Sequence, residues 1–378
     1  MATDLTQRPP RAAPAEATMV GNRGKIIGLN DLMFVSKTAM HRGNGPFKLT
    51  IALTWVCDQQ CKHCSIWSRP RSPELNPGQW RQVFRSARRT LNWLDLTGGE
   101  VTTRPDFAEI ALAAIEELPN LAMLHFPTNG RRPTRLESVV KAIMTGGPRR
   151  LVVSLSLDGP PDVHAEVRGD ERGFEQTVES FQRLRKLGIE AYFGLTVSSL
   201  NIQYVDAAYD ALQERIPNLS WSDLHVNILH ESAHYFGNTG IGRPDSQKVH
   251  ALIRSLIHKR GLPTHPTHLM ERLYLRRVGD YLKSGRSPVP CTSLRGNAFI
   301  DPTGQVYPCH IWDEPIGDLN NYNLSLPRLW SSHRRIELRD RVKAEKCPGC
   351  WTPCEAYPSI MNSLPSSLWS TSGADTSP

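Results

Sequence analysis

The eight cysteines of this chain fall into two groups that are separated by a long cysteine-free stretch. Cys57, Cys61 and Cys64 lie within eight residues of one another, and the other five all follow residue 290. The N-terminus carries no apolar run of the kind found in signal peptides, so we expect a reducing, cytoplasmic location. In that setting clustered cysteines are more often metal ligands or catalytic groups than disulfides. The pattern therefore predicts two separate metal sites.

Composition excludes several other classes of protein. The 378 residues are 39% hydrophobic and 22% charged, which is typical of a globular chain and argues against wholesale disorder. No stretch approaches the roughly 18 uncharged apolar residues that a membrane span needs. The net charge is +8, and the basic residues form at most pairs, such as Arg131–Arg132, rather than long basic tracts. A solvated basic surface explains this better than a nucleic-acid or membrane partner, and we expect neither.

Strand and helix patterns alternate between residue 47 and about residue 229. Apolar, β-branched runs predict strands, and 3.6-residue periodicity between them predicts helices. The predicted strands are 49–56, 93–96, 121–127, 150–157, 189–197 and 221–229. Such alternation is typical of βαβ units with a parallel sheet. We therefore expect an α/β fold, a partial (β/α)6 TIM-like barrel, with the carboxyl ends of its strands at one rim.

The same patterns divide the chain into five regions. A small cysteine-rich region late in the chain is expected to be held by metal more than by a core, with Trp312, Trp330 and Trp351 as its thin apolar centre. The predicted regions are a tail and lead-in (1–46), the barrel (47–235), a helical connector (236–288), the small cysteine-rich domain (289–358) and a flexible tail (359–378).

The first cysteine group has the spacing Cys-x3-Cys-x2-Cys and directly follows the first predicted strand. Three thiolates on one tight loop can hold three irons of a [4Fe–4S] cluster and leave the fourth iron open. A structural zinc site normally takes four ligands. His63 could complete a zinc knuckle, but it lies between two of the cysteines, which strains simultaneous ligation. The open coordination position on the fourth iron favours a catalytic cluster over a structural metal site.

The segment CDQQCKHC, residues 57–64, resembles the signature of the radical S-adenosylmethionine (SAM) superfamily. The resemblance implies a [4Fe–4S] cluster that cleaves SAM reductively to a 5′-deoxyadenosyl radical, which then abstracts a substrate hydrogen. It also implies an electron donor of the flavodoxin or ferredoxin type. Residues at successive predicted strand ends match the family's SAM-binding positions, and these are Gly98, Gly99, Glu100, Thr128, Asn129, Ser156, Asp158, Arg168 and Thr196.

The second group begins with Cys291 and Cys309, which flank a predicted hairpin of strands 298–300 and 305–307. Together with Gly304 they resemble the opening of the SPASM auxiliary iron–sulfur domain. Five cysteines suffice for one auxiliary [4Fe–4S] cluster with one thiol over, as in the shortened "twitch" form. The predicted ligands are Cys291, Cys309, Cys347 and Cys350, with Cys354 as an alternative ligand or a spare thiol. A zinc ribbon is the alternative for this group.

The spare thiol leaves two reaction types open. If Cys354 is free and near the substrate, it can donate a hydrogen atom to a substrate radical, as an epimerase requires. If all five thiols are structural, a dehydrogenase or a bond-forming oxidase is expected instead. Polar side chains around the sixth strand end supply candidate bases or rim polarity, and these are His225, His230, Glu231, His234 and Tyr235.

These observations predict a radical SAM oxidoreductase that dehydrogenates or epimerises a small polar metabolite. The alternative is a maturase that crosslinks or epimerises a ribosomal peptide, because SPASM-like modules are frequent in such enzymes. A non-enzymatic zinc or electron-transfer protein is a third hypothesis, but it leaves the Gly98-Gly99-Glu100 motif and the strand-end pattern unexplained.

Overall fold

The computed structural model describes residues 45–363. The predicted N-terminal tail, apart from its last two residues, and the chain beyond residue 363 lie outside this range. Among the described residues, no helix combines the length and apolar character needed to cross a bilayer.

The molecule is built on one nine-stranded sheet in the order β6-β5-β4-β3-β2-β1-β7-β8-β9. Strands β1 to β6 pair in parallel with their sequence neighbours, as the strand–helix alternation predicts. The sheet is open between β6 and β9, so the expected partial barrel is confirmed. The strands are β1 (Lys48–Thr54), β2 (Trp93–Gly98), β3 (Met123–Thr128), β4 (Leu151–Ser156), β5 (Glu190–Val197), β6 (Leu224–Ile228), β7 (Asn297–Ile300), β8 (Gln305–Tyr307) and β9 (Gly317–Asp318).

Helices cover the outer face of the sheet and form the C-terminal region. The first begins at Pro77, with a capping box between Asn76 and Gln79. Helices α7 to α9 fall within residues 236–288, the range predicted as a helical connector. The helices are α1 (Pro77–Ala87), α2 (Phe107–Glu117), α3 (Pro133–Met144), α4 (Pro161–Arg168), α5 (Gly173–Lys186), α6 (Val205–Arg215), α7 (Ser246–Lys259), α8 (Pro266–Arg276), α9 (Val278–Ser284), α10 (Leu326–Trp330), α11 (His333–Lys343) and α12 (Pro353–Asn362).

The two faces of the parallel strands differ in polarity. Side chains alternate between faces along a strand, so Leu49, Ile51 and Leu53 of β1 share one face and pack in the main core. On β3 and β4 the side chains of the other face, including His125 and Ser154, are only partly buried. The inner side of the barrel is therefore a polar space, which we call the lumen.

The C-terminal region joins the barrel sheet, which the sequence did not predict. The expected hairpin of 298–300 and 305–307 is present, because β7 and β8 pair antiparallel. Strand β7 also pairs in parallel with β1, which extends the barrel sheet into the cysteine-rich domain. Trp312, Trp330 and Trp351 are buried there as expected.

Several predicted boundaries differ from the structure by a few residues, and two of them affect the cysteine-bearing segments. Helix α12 continues to Asn362, so residues 359–362 are helical rather than part of a flexible tail. Strand β1 ends at Thr54 rather than at residue 56. The cysteine loop therefore starts two residues earlier than the apolar run alone suggests.

Candidate functional site

The loop after β1 presents three thiols at the rim of the barrel. Cys57, Cys61 and Cys64 are free and only partly buried. The backbone N–H groups of Gln59 and Ile66 are directed at the sulfurs of Cys57 and Cys64, and both lower the pKa of their thiol. Burial dominates, however, and raises the pKa of Cys57 to about 12 and that of Cys64 to about 11. These thiols therefore need a bound cation to become thiolates, as iron–sulfur ligands do.

A buried ion pair connects this loop to the fourth and fifth strand ends. Arg168 Nε donates to Asp158 Oδ2 at 2.8 Å, and Arg168 Nη1 lies 4.0 Å from Cys61 Sγ. Burial alone would raise the pKa of Asp158, but the charge of Arg168, together with His63 and the Thr196 N–H, outweighs it and the net shift is downward. Asp158 Oδ1 accepts the backbone N–H of Thr196 at 3.0 Å. The structure thus brings together three predicted site residues, Asp158, Arg168 and Thr196, beside a cluster thiol.

Gly98 and Gly99 form a cradle that no larger residue fits. A Cβ atom at Gly98 would lie 2.3 Å from Thr54 O, and one at Gly99 would lie 2.2 Å from Val56 O. Gly98 also has a φ of +135°, in the region that favours glycine. The end of β2 therefore lies directly against the start of the cysteine loop.

Glu100 holds the ends of β2 and β3 together. Its Oε1 accepts Thr102 N at 3.0 Å and Thr128 Oγ1 at 2.8 Å, and its Oε2 accepts Asn129 N at 2.7 Å. Burial raises the pKa of this carboxyl despite these donors. A carboxylate oxygen has two lone pairs, so Oε2 can also accept a hydrogen bond from the ammonium group of SAM, as its proposed role requires. Asn129 Nδ2 meanwhile donates to Asp58 Oδ1 at 2.8 Å, which ties β3 to the cysteine loop.

Ser156 faces the lumen at the end of β4 and is partly buried. Its register partner on β5 is Gly194, which has no side chain to fill the space beside it. Ser156 therefore lies at the lumen side of the same strand end that carries Asp158. Its proposed role in binding SAM fits this position.

Four of the five late cysteines form one electrostatic group. Cys309 and Cys291 raise the pKa of Cys350, and Cys291 raises the pKa of Cys309. Cys347 in turn raises the pKa of Cys291. Ser293 N lies 3.5 Å from Cys291 Sγ, so a backbone donor faces a sulfur here too. Burial raises the pKa of Cys291 to about 12. These four thiols are the predicted ligand set, and burial raises the pKa of Cys309 and Cys350 as well.

Cys354 stands apart from that group. It lies in the first turn of α12, and after burial the largest influences on its pKa are Lys48 and Asp95, two barrel residues. Burial raises its pKa to about 12 while Lys48 acts to lower it. Lys48 Nζ also donates to Cys354 O at 2.6 Å. The spare thiol of the sequence prediction is therefore directed at the barrel.

The donor sets fit clusters better than single ions. Within residues 45–363, no three His, Cys, Asp or Glu side chains converge as the ligands of one ion do. A [4Fe–4S] cluster does not require such convergence, because each of its irons takes its own thiolate. When bound, the first cluster with SAM supplies a 5′-deoxyadenosyl radical, and the chain supplies position and shelter from water.

The polar residues after β6 divide into two sets. His225 faces the lumen and stacks on Tyr192 with ring centroids 4.2 Å apart. Tyr235 donates to or accepts from Thr97 Oγ1 at 2.8 Å, beside Gly98. His230, in contrast, accepts the Trp351 N–H at 3.0 Å and so joins the barrel to the C-terminal domain. His234 stacks on Tyr307 of β8, 4.5 Å between centroids, and Glu231 accepts the N–H of Gly242.

Comparison with known proteins agrees with this geometry. Residues 51–212 match the model of the radical SAM superfamily, and residues 291–351 match that of the SPASM iron–sulfur cluster-binding domain. The chain belongs to the radical SAM superfamily and carries a C-terminal SPASM domain. It is thus a radical SAM enzyme whose cofactors are SAM, a radical SAM [4Fe–4S] cluster and auxiliary iron–sulfur clusters.

Curated relatives include enzymes of two kinds. The sporulation killing factor maturation protein SkfB of Bacillus subtilis is 23% identical over 306 residues, which is 80% of this chain and 69% of SkfB. The mycofactocin maturase MftC of Mycolicibacterium smegmatis is 29% identical over 48% of this chain and 49% of its own. The AdoMet-dependent heme synthase of Methanosarcina barkeri is 29% identical over 45% and 48%. The chain thus spans only about half of the last two.

Solved structures share the fold. SuiB of Streptococcus suis with bound SAM gives a TM-score of 0.58 at 14% identity, covering 82% of this chain and 72% of SuiB. The AdoMet-bound anSMEcpe gives a TM-score of 0.57 at 15% identity, covering 85% of this chain and 98% of its own. At these identities the likeness concerns the architecture alone.

The site also contains a group of residues that the sequence analysis missed. Lys48, Asp95, His125 and Ser154 line the lumen on β1 to β4 and are connected by hydrogen bonds and an ion pair. The signal in the sequence was the presence of charged and ionisable residues inside otherwise apolar strands. Such residues are rarely buried without partners.

Proposed function

We propose that this enzyme oxidises a peptide, using the SAM-derived radical to remove hydrogen from it. The relatives include both maturation enzymes and AdoMet-dependent heme synthases that align with up to 81% of this chain, and we take the peptide rather than the small polar metabolite that the sequence analysis put first. SkfB and MftC are maturation enzymes by name, and SkfB aligns with 80% of this chain. Oxidation means a net loss of two hydrogens from the substrate, as a crosslink or a new double bond.

The polar lumen between the two cysteine-bearing segments is the observation that carries the proposal. The Tyr235 hydroxyl lies 2.8 Å from Thr97 Oγ1 at the end of β2, and the charges of Cys354 and Cys64 both act on this phenol. A substrate beside Tyr235 would therefore lie near both the first cysteine loop and Cys354. That arrangement suits a reaction that needs both a hydrogen abstraction and a one-electron oxidation.

A cleft beside the first cysteine loop offers room for an extended chain. It has a volume of about 580 Å³ and is lined by Cys57, Trp55, Trp67, Arg69 and Arg71, among others. This volume lies within the usual range for ligand sites. Trp67 is 41% exposed, so an aromatic wall is available to a bound partner. The size of the cleft and its aromatic wall support an extended peptide over a compact metabolite.

The test uses anaerobically reconstituted enzyme, SAM, dithionite and synthetic peptides encoded by short reading frames next to the gene. We expect a peptide to lose two hydrogens and 5′-deoxyadenosine to form in step with it. The control is the variant lacking Cys57, Cys61 and Cys64, which should do neither. The proposal fails if SAM is cleaved and no peptide changes, while a small metabolite stimulates the cleavage.

Epimerisation is the second candidate, and the position of Cys354 favours it. A thiol directed at the barrel, apart from the other four, can return a hydrogen atom to a substrate radical. The resulting thiyl radical would be reduced by the flavodoxin- or ferredoxin-type donor. In deuterated water an epimerised peptide would gain one deuterium without losing two hydrogens. The Cys354→Ala variant would then abolish the deuterium gain but leave an oxidation unaffected.

A further inference from the structure

Three lumen side chains on neighbouring strands form a continuous hydrogen-bonded line. Ser154 Oγ on β4 lies 2.9 Å from His125 Nε2 on β3, and His125 Nδ1 lies 3.2 Å from Asp95 Oδ1 on β2. The His125 side chain is 25% exposed, whereas that of Asp95 is 7% exposed. A hydroxyl, an imidazole and a buried carboxylate in this order form a proton-transfer arrangement that recurs on unrelated folds.

The charge of Asp95 fixes the direction of these hydrogen bonds. Burial alone would raise the pKa of Asp95, but Lys48 and His125 lower it well below its usual range. Lys48 Nζ lies 2.9 Å from Asp95 Oδ2, and Trp93 Nε1 donates to Oδ1 at 2.8 Å. An ionised carboxylate can only accept, so Nδ1 of His125 carries the hydrogen. In the neutral form of the ring, Nε2 then has the lone pair that can accept the Ser154 hydroxyl.

Other lumen groups lack partners that a substrate could provide. His225 Nε2 and Asn227 Oδ1 are buried atoms without a hydrogen-bond partner in the described part of the chain. They lie on the inward face of β6, where Gly194 and Thr196 of β5 are their register partners. Buried polar atoms are normally paired, so a polar ligand is the natural complement of these two.

We propose that Ser154 and His125 are the proton acceptor of the lumen and that Asp95 is their positioning residue. This inference rests on the proposed peptide oxidation. The substrate would lose a hydrogen atom to the 5′-deoxyadenosyl radical and a proton to Ser154 Oγ, whose own proton passes to His125 Nε2. The remaining electron goes to a one-electron acceptor of the iron–sulfur class, for which the four grouped SPASM thiols are the ligands. One C–H bond and one further bond to hydrogen break, and a new bond forms within the peptide.

The test compares His125→Gln and Ser154→Ala with His333→Gln, an exposed control on α11. With the peptide that the wild type oxidises, we expect His125→Gln to lower the product rate about 100-fold, since a positioned base contributes 100-fold or more. The Michaelis constant should change little, and label from a deuterated peptide should still reach 5′-deoxyadenosine. Wild-type amounts of product per 5′-deoxyadenosine in both variants would overturn the proposal.

Two measurements judge the relay without any peptide. In ¹⁵N-histidine-labelled, unreduced holoenzyme, the neutral ring of His125 should carry its hydrogen on Nδ1, and Asp95→Asn should alter its nitrogen shifts. Diethyl pyrocarbonate should modify wild-type His125, because a base in the lumen must be reachable by solutes. A hydrogen on Nε2, or no modification, would overturn the relay even if the wild type oxidises no peptide. A failure of the proposed function alone would instead leave both results as expected.

Discussion

Lys48 and Asp95 form a buried ion pair across β1 and β2, with Lys48 Nζ 2.9 Å from Asp95 Oδ2 and side-chain exposures of 1% and 7%. Lys48 Nζ also donates to Thr50 Oγ1 and to Cys354 O. Burial acts to lower the pKa of Lys48, but Asp95 and the neighbouring acids outweigh it and raise it. The pair thus connects the inside of the barrel to the helix that carries Cys354.

Removing one partner of this pair should strongly destabilise the protein. Lys48→Met leaves Asp95 buried without its cation, and we expect a loss of about 3–5 kcal/mol in the free energy of unfolding. The urea midpoint of the holoenzyme measures it. Lys141→Met is the control, because Lys141 is 58% exposed in its pair with Glu137 and should contribute less than about 1 kcal/mol. Equal losses of unfolding free energy in the two variants would contradict the assignment of Lys48 and Asp95 as a buried, stabilising ion pair.

The glycine cradle gives a second prediction. Gly99→Ala should abolish SAM binding, because its Cβ would lie 2.2 Å from Val56 O and push β2 away from the cysteine loop. Calorimetric titration of SAM into the unreduced holoenzyme measures it. Gly188→Ala is the control: Gly188 has a φ of +72° but open space where a Cβ would lie, so this change should cost only about 1 kcal/mol of stability. Unchanged SAM affinity in Gly99→Ala would refute the cradle.

The barrel was predictable because strand and helix periodicities repeat along the chain, and the cysteine spacing located the rim site. The lumen was not predictable in the same way. Asp95, His125 and Ser154 are 59 residues apart from first to last, and each looks like an isolated polar residue in an apolar strand. Their contact depends on the parallel register, which pairs Asp95 with His125.

The pairing of β7 with β1 was equally hidden from the sequence. The segments are separated by more than 200 residues, and the pattern of β7 shows only that it is a short apolar strand. A short run of this kind fits a separate hairpin as well as a sheet extension. Cys354 illustrates the same limit, because its spacing matches a ligand while its environment belongs to the barrel.

Acid sensitivity follows from the buried histidines. Burial lowers the pKa of His225 and of His164 to about 4, so both are neutral when folded and bind protons more readily when unfolded. Their contribution is fully present above about pH 6.5 and is lost as the pH falls toward 4. His225→Gln should therefore flatten the fall of the urea midpoint between pH 6.5 and 4. The exposed His333→Gln should leave the slope unchanged, and an equal slope in all three proteins would exclude this cause.

Iron content should separate the five late cysteines. Cys350→Ala removes a member of the grouped thiols, so we expect iron to fall from about eight to about four per chain after anaerobic reconstitution. Cys354→Ala should keep about eight, because the main electrostatic partners of this thiol are Lys48 and Asp95 rather than the other cysteines. The variant lacking Cys57, Cys61 and Cys64 should keep about four and lose SAM cleavage. If Cys354→Ala lost as much iron as Cys350→Ala, Cys354 would be a cluster ligand, and the hydrogen-donor hypothesis would have to be abandoned along with epimerisation.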